Sequence, residues 1–338
     1  MQILVAMSGG VDSSVAAALL RDAGHDVVGV TMKLWGGASD TGCCSVADVD
    51  DARRAAQQLG VDHVVFNFTA DFERHVVVPY VDAHRSGRTP NPCVECNRHL
   101  KFDRLLERAD RLGFDAVATG HHARIVGGRL ARGLDRAKDQ SYVLHVLDRG
   151  ALARTRFPVG DLTKAEVRRR AAALGLRTAH KPDSQDVCFI TSSGGRAAFL
   201  GPRMPLRPAR VVDTTGRTLG AVPSVELVTV GQRKGLGIGG SAEPRYVVDV
   251  DTGSGVVTVG SRRDLLVAEQ PLCDLRWTGG GTAGAVLAQC SAHAPAARAT
   301  VDGDVLRWEE PQRRVARGQS IVLYDTSDEV VLGGALAA

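Results

Sequence analysis

The chain has 338 residues, 44% of them hydrophobic, and a formal charge of only +4. That length predicts two or three domains rather than one. The weak charge excludes a polycation that holds nucleic acid by charge alone, while the arginine-rich basic set still suits phosphate and base-edge contacts. Met1-Gln2-Ile3 lacks a basic leader, and its apolar run is too short for a signal peptide or a membrane span, so a cytoplasmic location and no membrane partner are expected. Seven cysteines, an odd number, suit buried, catalytic or metal-binding thiols better than a disulfide framework.

In chain order, the apolar run Ile3-Leu4-Val5-Ala6 predicts a buried strand, and Val15 to Leu20 predicts a helix. Between them lies Ser8-Gly9-Gly10-Val11-Asp12-Ser13-Ser14, at a strand's end and a helix's start. Backbone N–H groups there lack intrahelical partners, and the helix dipole favours an anion. Gly9 and Gly10 are expected to adopt positive φ, and Ser8, Ser13 and Ser14 to add hydroxyl donors. The stretch predicts a phosphate cradle. It is not a Walker A loop, because no Gly-Lys-Ser/Thr ends it.

Val27 to Met32 predicts a second strand. Ser45 caps a helix running to about Leu59, where Gly60 stops it. His63 to Phe68 is a third strand, Asp71 to His84 a helix, and Phe114 to Thr119 a fourth strand followed by Gly120-His121-His122. Repeated βα units predict an α/β, doubly wound parallel sheet that binds ligands at the strands' carboxyl ends. Met32 and Gly120 lie at such ends, where adenine and ribose would sit. Thr163-Lys164-Ala165-Glu166 is a capping box opening a helix to about Leu174, ended by Gly175.

The composition shifts at Gly201 to Pro208, a linker by content. Arg245–Val250 and Val256–Val259 predict a hairpin. Gly231 to Gly240 reads as a mobile glycine-rich loop carrying Arg233 and Lys234. From about Leu272, short runs recur at Ala285–Cys290, Ala297–Val301, Val305–Glu309, Ser320–Tyr324 and Val330–Leu332, predicting a small closed β-barrel. The expected domains are 1–200, a small β-rich unit over 201–265, and a barrel over 266–338.

Two cysteines stand three apart in Thr89-Pro90-Asn91-Pro92-Cys93-Val94-Glu95-Cys96, just before a helix through Phe102 and Leu105. An unperturbed thiol is only ~3% thiolate at pH 7, and a helix N-terminus raises that fraction. Cys188 follows the polar Lys181 to Gln185 on a short apolar run and is expected across a cleft from the pair. Spacing alone leaves four readings open: inert thiols, a zinc site completed by His99, His121 or His122, an iron–sulfur site, or a nucleophile–persulfide pair. Cys43 and Cys44 fall in a polar loop, and Cys273 and Cys290 look structural.

With these stretches in hand the chain resembles the bacterial tRNA-uridine 2-sulfurtransferases (tRNA-specific 2-thiouridylases) over nearly its whole length. The motifs are Met7 to Ser14, Gly87-Arg88-Thr89-Pro90-Asn91-Pro92, Ala118-Thr119-Gly120-His121, Lys138-Asp139-Gln140-Ser141-Tyr142, Phe157-Pro158-Val159-Gly160, Val187-Cys188-Phe189-Ile190, Gly231 to Gly240 and Gly318-Gln319-Ser320. The resemblance implies an adenine-nucleotide α-hydrolase-like domain using ATP and Mg2+, and β domains that grip the anticodon arm of tRNA. ATP would adenylate the C2 oxygen of the wobble uridine (position 34), and a cysteine persulfide would then deliver sulfur. The sulfur would come from a donor such as a cysteine desulfurase or a sulfur relay protein.

By the same resemblance, Cys96 matches the nucleophile and Cys188 the persulfide bearer. Ala6, Met7, Ser8, Gly9, Gly10, Val11, Asp12, Ser13, Met32 and Gly120 match ATP contacts. His121, Lys138, Asp139, Gln140 and Gln319 match tRNA contacts, and Asn91, Pro92 and Cys93 the loop that meets the target base. Two departures stand out. Many members carry Asp at Cys93, where it is an acid–base candidate. With three thiolates, Cys93, Cys96 and Cys188, a [4Fe–4S] cluster becomes an alternative expectation. The family's Arg-Tyr pair in the barrel is replaced by Cys290-Ser291-Ala292-His293-Ala294, so that contact is not carried over. The rival functions are another adenylating or amide-forming enzyme on the same loop, which needs no cysteine pair, and a non-enzymatic tRNA-binding iron–sulfur protein, which needs no phosphate cradle.

Overall fold

The computed structural model describes residues 1–35, 45–183, 187–190, 194–239, 243–278 and 284–338. Cys43 and Cys44 lie outside the described residues, as do Ser184, Gln185 and Gly240. Five parallel strands open the chain: β1 (Gln2–Ala6), β2 (Asp26–Lys33), β3 (Asp62–Asn67), β4 (Ala116–Thr119) and, after the antiparallel pair β5 (Ala123–Val126) and β6 (Arg129–Arg132), the short β7 (Thr155–Arg156). Their order is β3-β2-β1-β4-β7. Strand β1 is central and follows the period of two: Ile3, Val5 and Met7 enter one core, Leu4 and Ala6 the other. Helix α1 (Val11–Asp22) and helix α2 (Val46–Leu59) cover the first face, and the helical residues 69–85 and 92–111 cover the second.

The expected caps are in place. Ser45 and Asp48 form a capping box at α2, and Gly60 ends it in the left-handed region at φ 69°. Thr163 and Glu166 form another at the helix Lys164–Ala173. The connection from β3 leads away from β1 on one side, while β4 pairs on the other. The order therefore reverses between β1 and β4, and a crevice opens at their carboxyl ends.

Beyond residue 208, strands β8 (Ala209–Asp213), β9 (Thr218–Val222), β10 (Tyr246–Asp251) and β11 (Val256–Gly260) form a sheet ordered β10-β11-β8-β9, with β10 and β11 as the predicted hairpin. The glycine-rich loop, as far as Gly239, is hydrogen-bonded to this sheet. Gly231 N–H donates to the Val247 carbonyl at 2.8 Å, and Ile238 bridges to Gly220. Six further strands, β12 (Leu266–Trp277), β13 (Gly284–Gln289), β14 (Ala297–Asp302), β15 (Val305–Arg313), β16 (Ser320–Tyr324) and β17 (Val331–Ala337), close the predicted barrel. Cys290 is half-buried, and burial pushes its thiol up to about 12. Cys273 is exposed instead, because the alternation of β12 turns it outward from Leu272. Among the described residues no helix is long and apolar enough to cross a membrane.

Arg132, at the end of β6, joins the barrel to the parallel-sheet region. It is 6% exposed. Its guanidinium donates to Asp139 at 2.8 Å, to Gln289 at 2.9 Å and to Asp328 at 2.7 Å, and lies 3.6 Å from the centre of the Tyr324 ring. Five fixed donors above an aromatic face are the arrangement that arginine, not lysine, can fill. Removing it strands the carboxylate of Asp139, which is 4% exposed. Arg132→Ala is therefore expected to cost about 3–5 kcal/mol in urea unfolding. Arg132→Lys should recover only part of it, because an ammonium cannot reproduce the fork.

Candidate active site

The Ser8–Ser14 loop, expected to cradle phosphate, forms where β1 meets α1. Gly9 has φ +72°, and a Cβ there would stand 2.3 Å from the Asp48 carbonyl oxygen, so only glycine fits. Gly10 departs from expectation: it is extended, at φ −94° and ψ 166°, as the residue preceding a helix should be. Ser13 Oγ accepts from Ser8 N–H at 3.2 Å. Ser14 turns inward, fully buried, and its hydroxyl donates to the Gly10 carbonyl at 2.9 Å, so it is not a ligand donor. Across the crevice, a Cβ on Gly120 would lie 2.5 Å from the Ser13 backbone nitrogen.

These segments form one wall of a cavity of about 570 Å³. Ala6, Met7, Ser8, Gly10, Val11, Asp12, Ser13, Met32 and Gly120 all line it, whereas Gly9 does not. Instead the Gly9 carbonyl accepts from Lys181 Nζ at 3.0 Å, and the same ammonium pairs with Asp48 and Asp51.

Charges distant in sequence gather beside the cradle. Lys164 Nζ lies 2.6 Å from Asp12 and 2.8 Å from Asp183, and is 12% exposed. Lys138 and Arg168 each lie 2.9 Å from Asp183. Burial would raise the Asp183 carboxyl, but hydrogen bonds from Lys164 and Lys138 outweigh it and hold the group well below the usual range. At Asp12 burial likewise raises the carboxyl, but hydrogen bonds from His122 and Lys164 outweigh it and lower the group below its ordinary value. Sequence reading missed Lys164, which there looks like part of a helix cap. Its position just inside a capped helix was the only local signal.

On the opposite wall, Asn91 Oδ1 accepts from Cys93 N–H at 3.0 Å and starts the helical residues 92–111. Cys93 is half-buried and Cys96 buried, and both line the cavity, as do Pro92 and Cys188. Phe189 anchors the Cys188 segment, packing edge-on to Phe72 at 5.6 Å and Tyr80 at 5.4 Å. Val187 before it has φ 55°, a left-handed conformation that a β-branched residue adopts at a cost of about 1–3 kcal/mol. The cluster and zinc expectations find no support in this geometry. Among the described residues no three His, Cys, Asp or Glu side chains converge as a metal site. Cys96 belongs to an apolar core cluster with Phe72, Val76 and Leu100, while His99 pairs with Glu95 and Asp103, His121 with Thr119 and Lys101, and His122 Nε2 with Asp12.

His121 Nδ1 hydrogen-bonds Thr119 Oγ1 at 2.7 Å, and its Nε2 accepts from Lys101, 3.5 Å away. Burial first, then the charge of Lys101, pushes its pKa well down, so the ring is neutral. His122 Nε2 bonds Asp12 at 3.2 Å. Of the residues expected to meet tRNA, His121, Lys138, Asp139 and Gln140 line the cavity. Asp139 is internally engaged by Arg132, Gly133 N–H and Ser141, and Gln140 Oε1 accepts from His122 N–H. Asn91 and Gln319 are not on the cavity wall; both side chains reach the buried Tyr142 hydroxyl, which donates to the Ser320 carbonyl. The barrel itself supplies Ala292 and His293 to the cavity.

Residues 1–192 match the family model described as the tRNA methyl transferase HUP domain, 197–261 the tRNA methyl transferase PRC-barrel domain, and 287–337 the aminomethyltransferase beta-barrel domain. The chain is 46% identical to a tRNA-specific 2-thiouridylase MnmA of Mycobacteroides abscessus over 354 residues, covering 99% of each chain. It is 48% identical over 358 residues to the protein of that name from Mycobacterium leprae, covering 100% of this chain and 99% of the other. A solved 4-thiouridine synthetase–RNA complex with bound ATP aligns at 19% identity and TM-score 0.38, over 56% of this chain and 44% of that one.

The charge network generates an acid limb of stability. Asp12 and Asp183 titrate below their ordinary range, so the stability they contribute is complete above about pH 4 and is lost as pH falls through their lowered values. Asp183→Asn should be less stable than the parent protein at neutral pH. In urea titrations the gap should close as the pH is brought towards about 2. A gap that stays constant with pH would contradict this.

Proposed function

Since the chain belongs to the tRNA-specific 2-thiouridylase family, we propose that it carries out ATP-dependent 2-thiolation of the wobble uridine (position 34) of tRNA. One observation carries the reading: a single cavity joins the Ser8–Ser13 cradle to Cys96 and Cys188. Activation and sulfur delivery can therefore act on one base without its leaving the site.

ATP, as its magnesium complex, lies in the cradle with its phosphates on the α1 N-terminus and the hydroxyls of Ser8 and Ser13. Lys164 and Lys138 supply the positive charge that the loop itself lacks. The uridine O2 attacks the α-phosphorus, pyrophosphate leaves, and C2 now carries AMP as a leaving group. The terminal sulfur of a persulfide on Cys188 attacks C2, and AMP departs with the O2 oxygen. The Cys96 thiolate then attacks Cys188 sulfur, the S–S bond breaks, and the thiocarbonyl remains on the base. This leaves a Cys96–Cys188 disulfide, which an external thiol reductant resets. The persulfide is loaded by a cysteine desulfurase or a sulfur relay protein. Cys93, beside the target base, stands where relatives carry a carboxylate.

A wobble base lies in a single-stranded loop and can be splayed into the cavity without melting a duplex. Lys138, Gln140 and His121 meet it from the parallel-sheet domain (1–200), and the β-rich units (201–265 and 266–338) hold the anticodon arm, with Gln319 at the junction. Methyl transfer, named in the family models, calls for neither a pyrophosphate-releasing cradle nor two cysteines in one cavity. An amide-forming adenylating enzyme has the cradle but no use for the thiols.

Incubating tRNA with ATP, magnesium and a persulfide source should yield 2-thiouridine on nucleoside digestion. Cys96→Ser and Cys188→Ser should each cut that yield by about 10³-fold or more while ATP–pyrophosphate exchange persists. Undiminished thiolation in either variant would overturn the roles given to the two cysteines.

A further inference from the structure

Asn97 follows Cys96 on the cavity wall and is 2% exposed. Its amide NH₂ donates to the Val143 carbonyl at 3.3 Å. A carbonyl oxygen only accepts, so the nitrogen must face Val143, and the orientation of the side chain follows from chemistry. The other end, Oδ1, is buried and receives no hydrogen bond among the described residues. A buried acceptor without a donor is costly, and native proteins keep few of them. Its position is also well defined. Wide, π-type turns over Cys96–Arg104 follow a turn of α-helix over Pro92–Glu95, and Cys93, Asn97 and Lys101, each four apart, all line the cavity from this one helical stretch.

We propose that Asn97 Oδ1 is the acceptor for the N3–H of the target uracil, which makes Asn97 a base-contacting, specificity-determining residue. The inference rests on the thiolation reading above. Uracil presents O2 and O4 as acceptors with the N3–H donor between them. Cytosine presents a lone pair at N3, which a carbonyl oxygen repels. One buried Oδ1 therefore accepts uracil and rejects cytosine, in the way that a site built to hydrogen-bond a group rejects an analogue lacking it. The contact also bears on reactivity. O2 is adjacent to N3, so holding N3–H fixes where O2 points. As O2 gains the phosphoryl group, positive charge builds in the ring and N3–H becomes a stronger donor, so the bond to Asn97 tightens towards the transition state.

The test pairs a protein change with a base change. Anticodon stem-loops carry either uridine or 3-deazauridine, in which N3–H is replaced by C–H, at the target position. The intact protein should thiolate the deaza substrate with kcat/KM reduced by about 10- to 100-fold, and Asn97→Ala should lose a similar factor on uridine. Asn97→Ala should then be nearly indifferent to the deaza change, because the two alterations remove one bond, and ATP binding measured without RNA should be retained. Losses that multiply instead would assign Asn97 a purely structural role and overturn the proposal. Equal use of both bases by the intact protein would overturn it without any variant. If the intact protein fails even on uridine while still binding ATP, the thiolation reading falls, and this inference with it.

Discussion

The backbone contact between Gly120 and the first turn of α1 is the constraint on which the rest of the site depends. A Cβ at Gly120 would stand 2.5 Å from Ser13 N and 2.7 Å from the Asp12 carbonyl carbon. Only bare backbone can close that gap. It brings the carboxyl ends of β1 and β4 together at the reversal of strand order, so the cradle and Thr119–His122 become two sides of one crevice. His122 then reaches Asp12 because these strand ends are adjacent.

Around that contact the protein arranges charge in depth. Lys164 stands between Asp12 on the cradle and Asp183 on the segment leading to Cys188. A lysine in low-dielectric surroundings needs carboxylate partners, and these two supply them. The same pairs tie the ATP side of the cavity to the chain that carries the second cysteine. The barrel is held to the other side by Arg132 and by the Tyr142 hydroxyl, so Ala292 and His293 can complete the cavity from a distant domain.

Much of the local structure was legible from residues alone. The capping boxes at Ser45 and Thr163 each depend on two residues three apart, and both form. The unbroken apolar run Ile3-Leu4-Val5-Ala6 announced a buried strand, and the structure divides it between two cores. The barrel runs followed from a period of two. Readings went astray where a single residue's surroundings decided. Gly10 is extended because it starts a helix, Ser14 faces the helix interior, and Cys273 falls on the outward phase of β12. The glycine-rich loop after Thr229 is stitched to a sheet that its own composition does not reveal.

By itself, then, the sequence determined the elements, the order of α/β and β units and the strand–glycine loop–helix junction at Ser8–Ser14, because each depends on neighbours within a few positions. Only the tertiary structure decided that Lys164 pairs with Asp12, 152 positions away, and that Arg132 locks the barrel through Asp328, 196 positions away. It alone showed that Asn97, a cavity-lining residue, has a buried oxygen with no hydrogen-bond partner among the described residues. Burial and the exclusion of water, which give such groups their energy, are properties of the packed chain and leave no periodic trace in its residues.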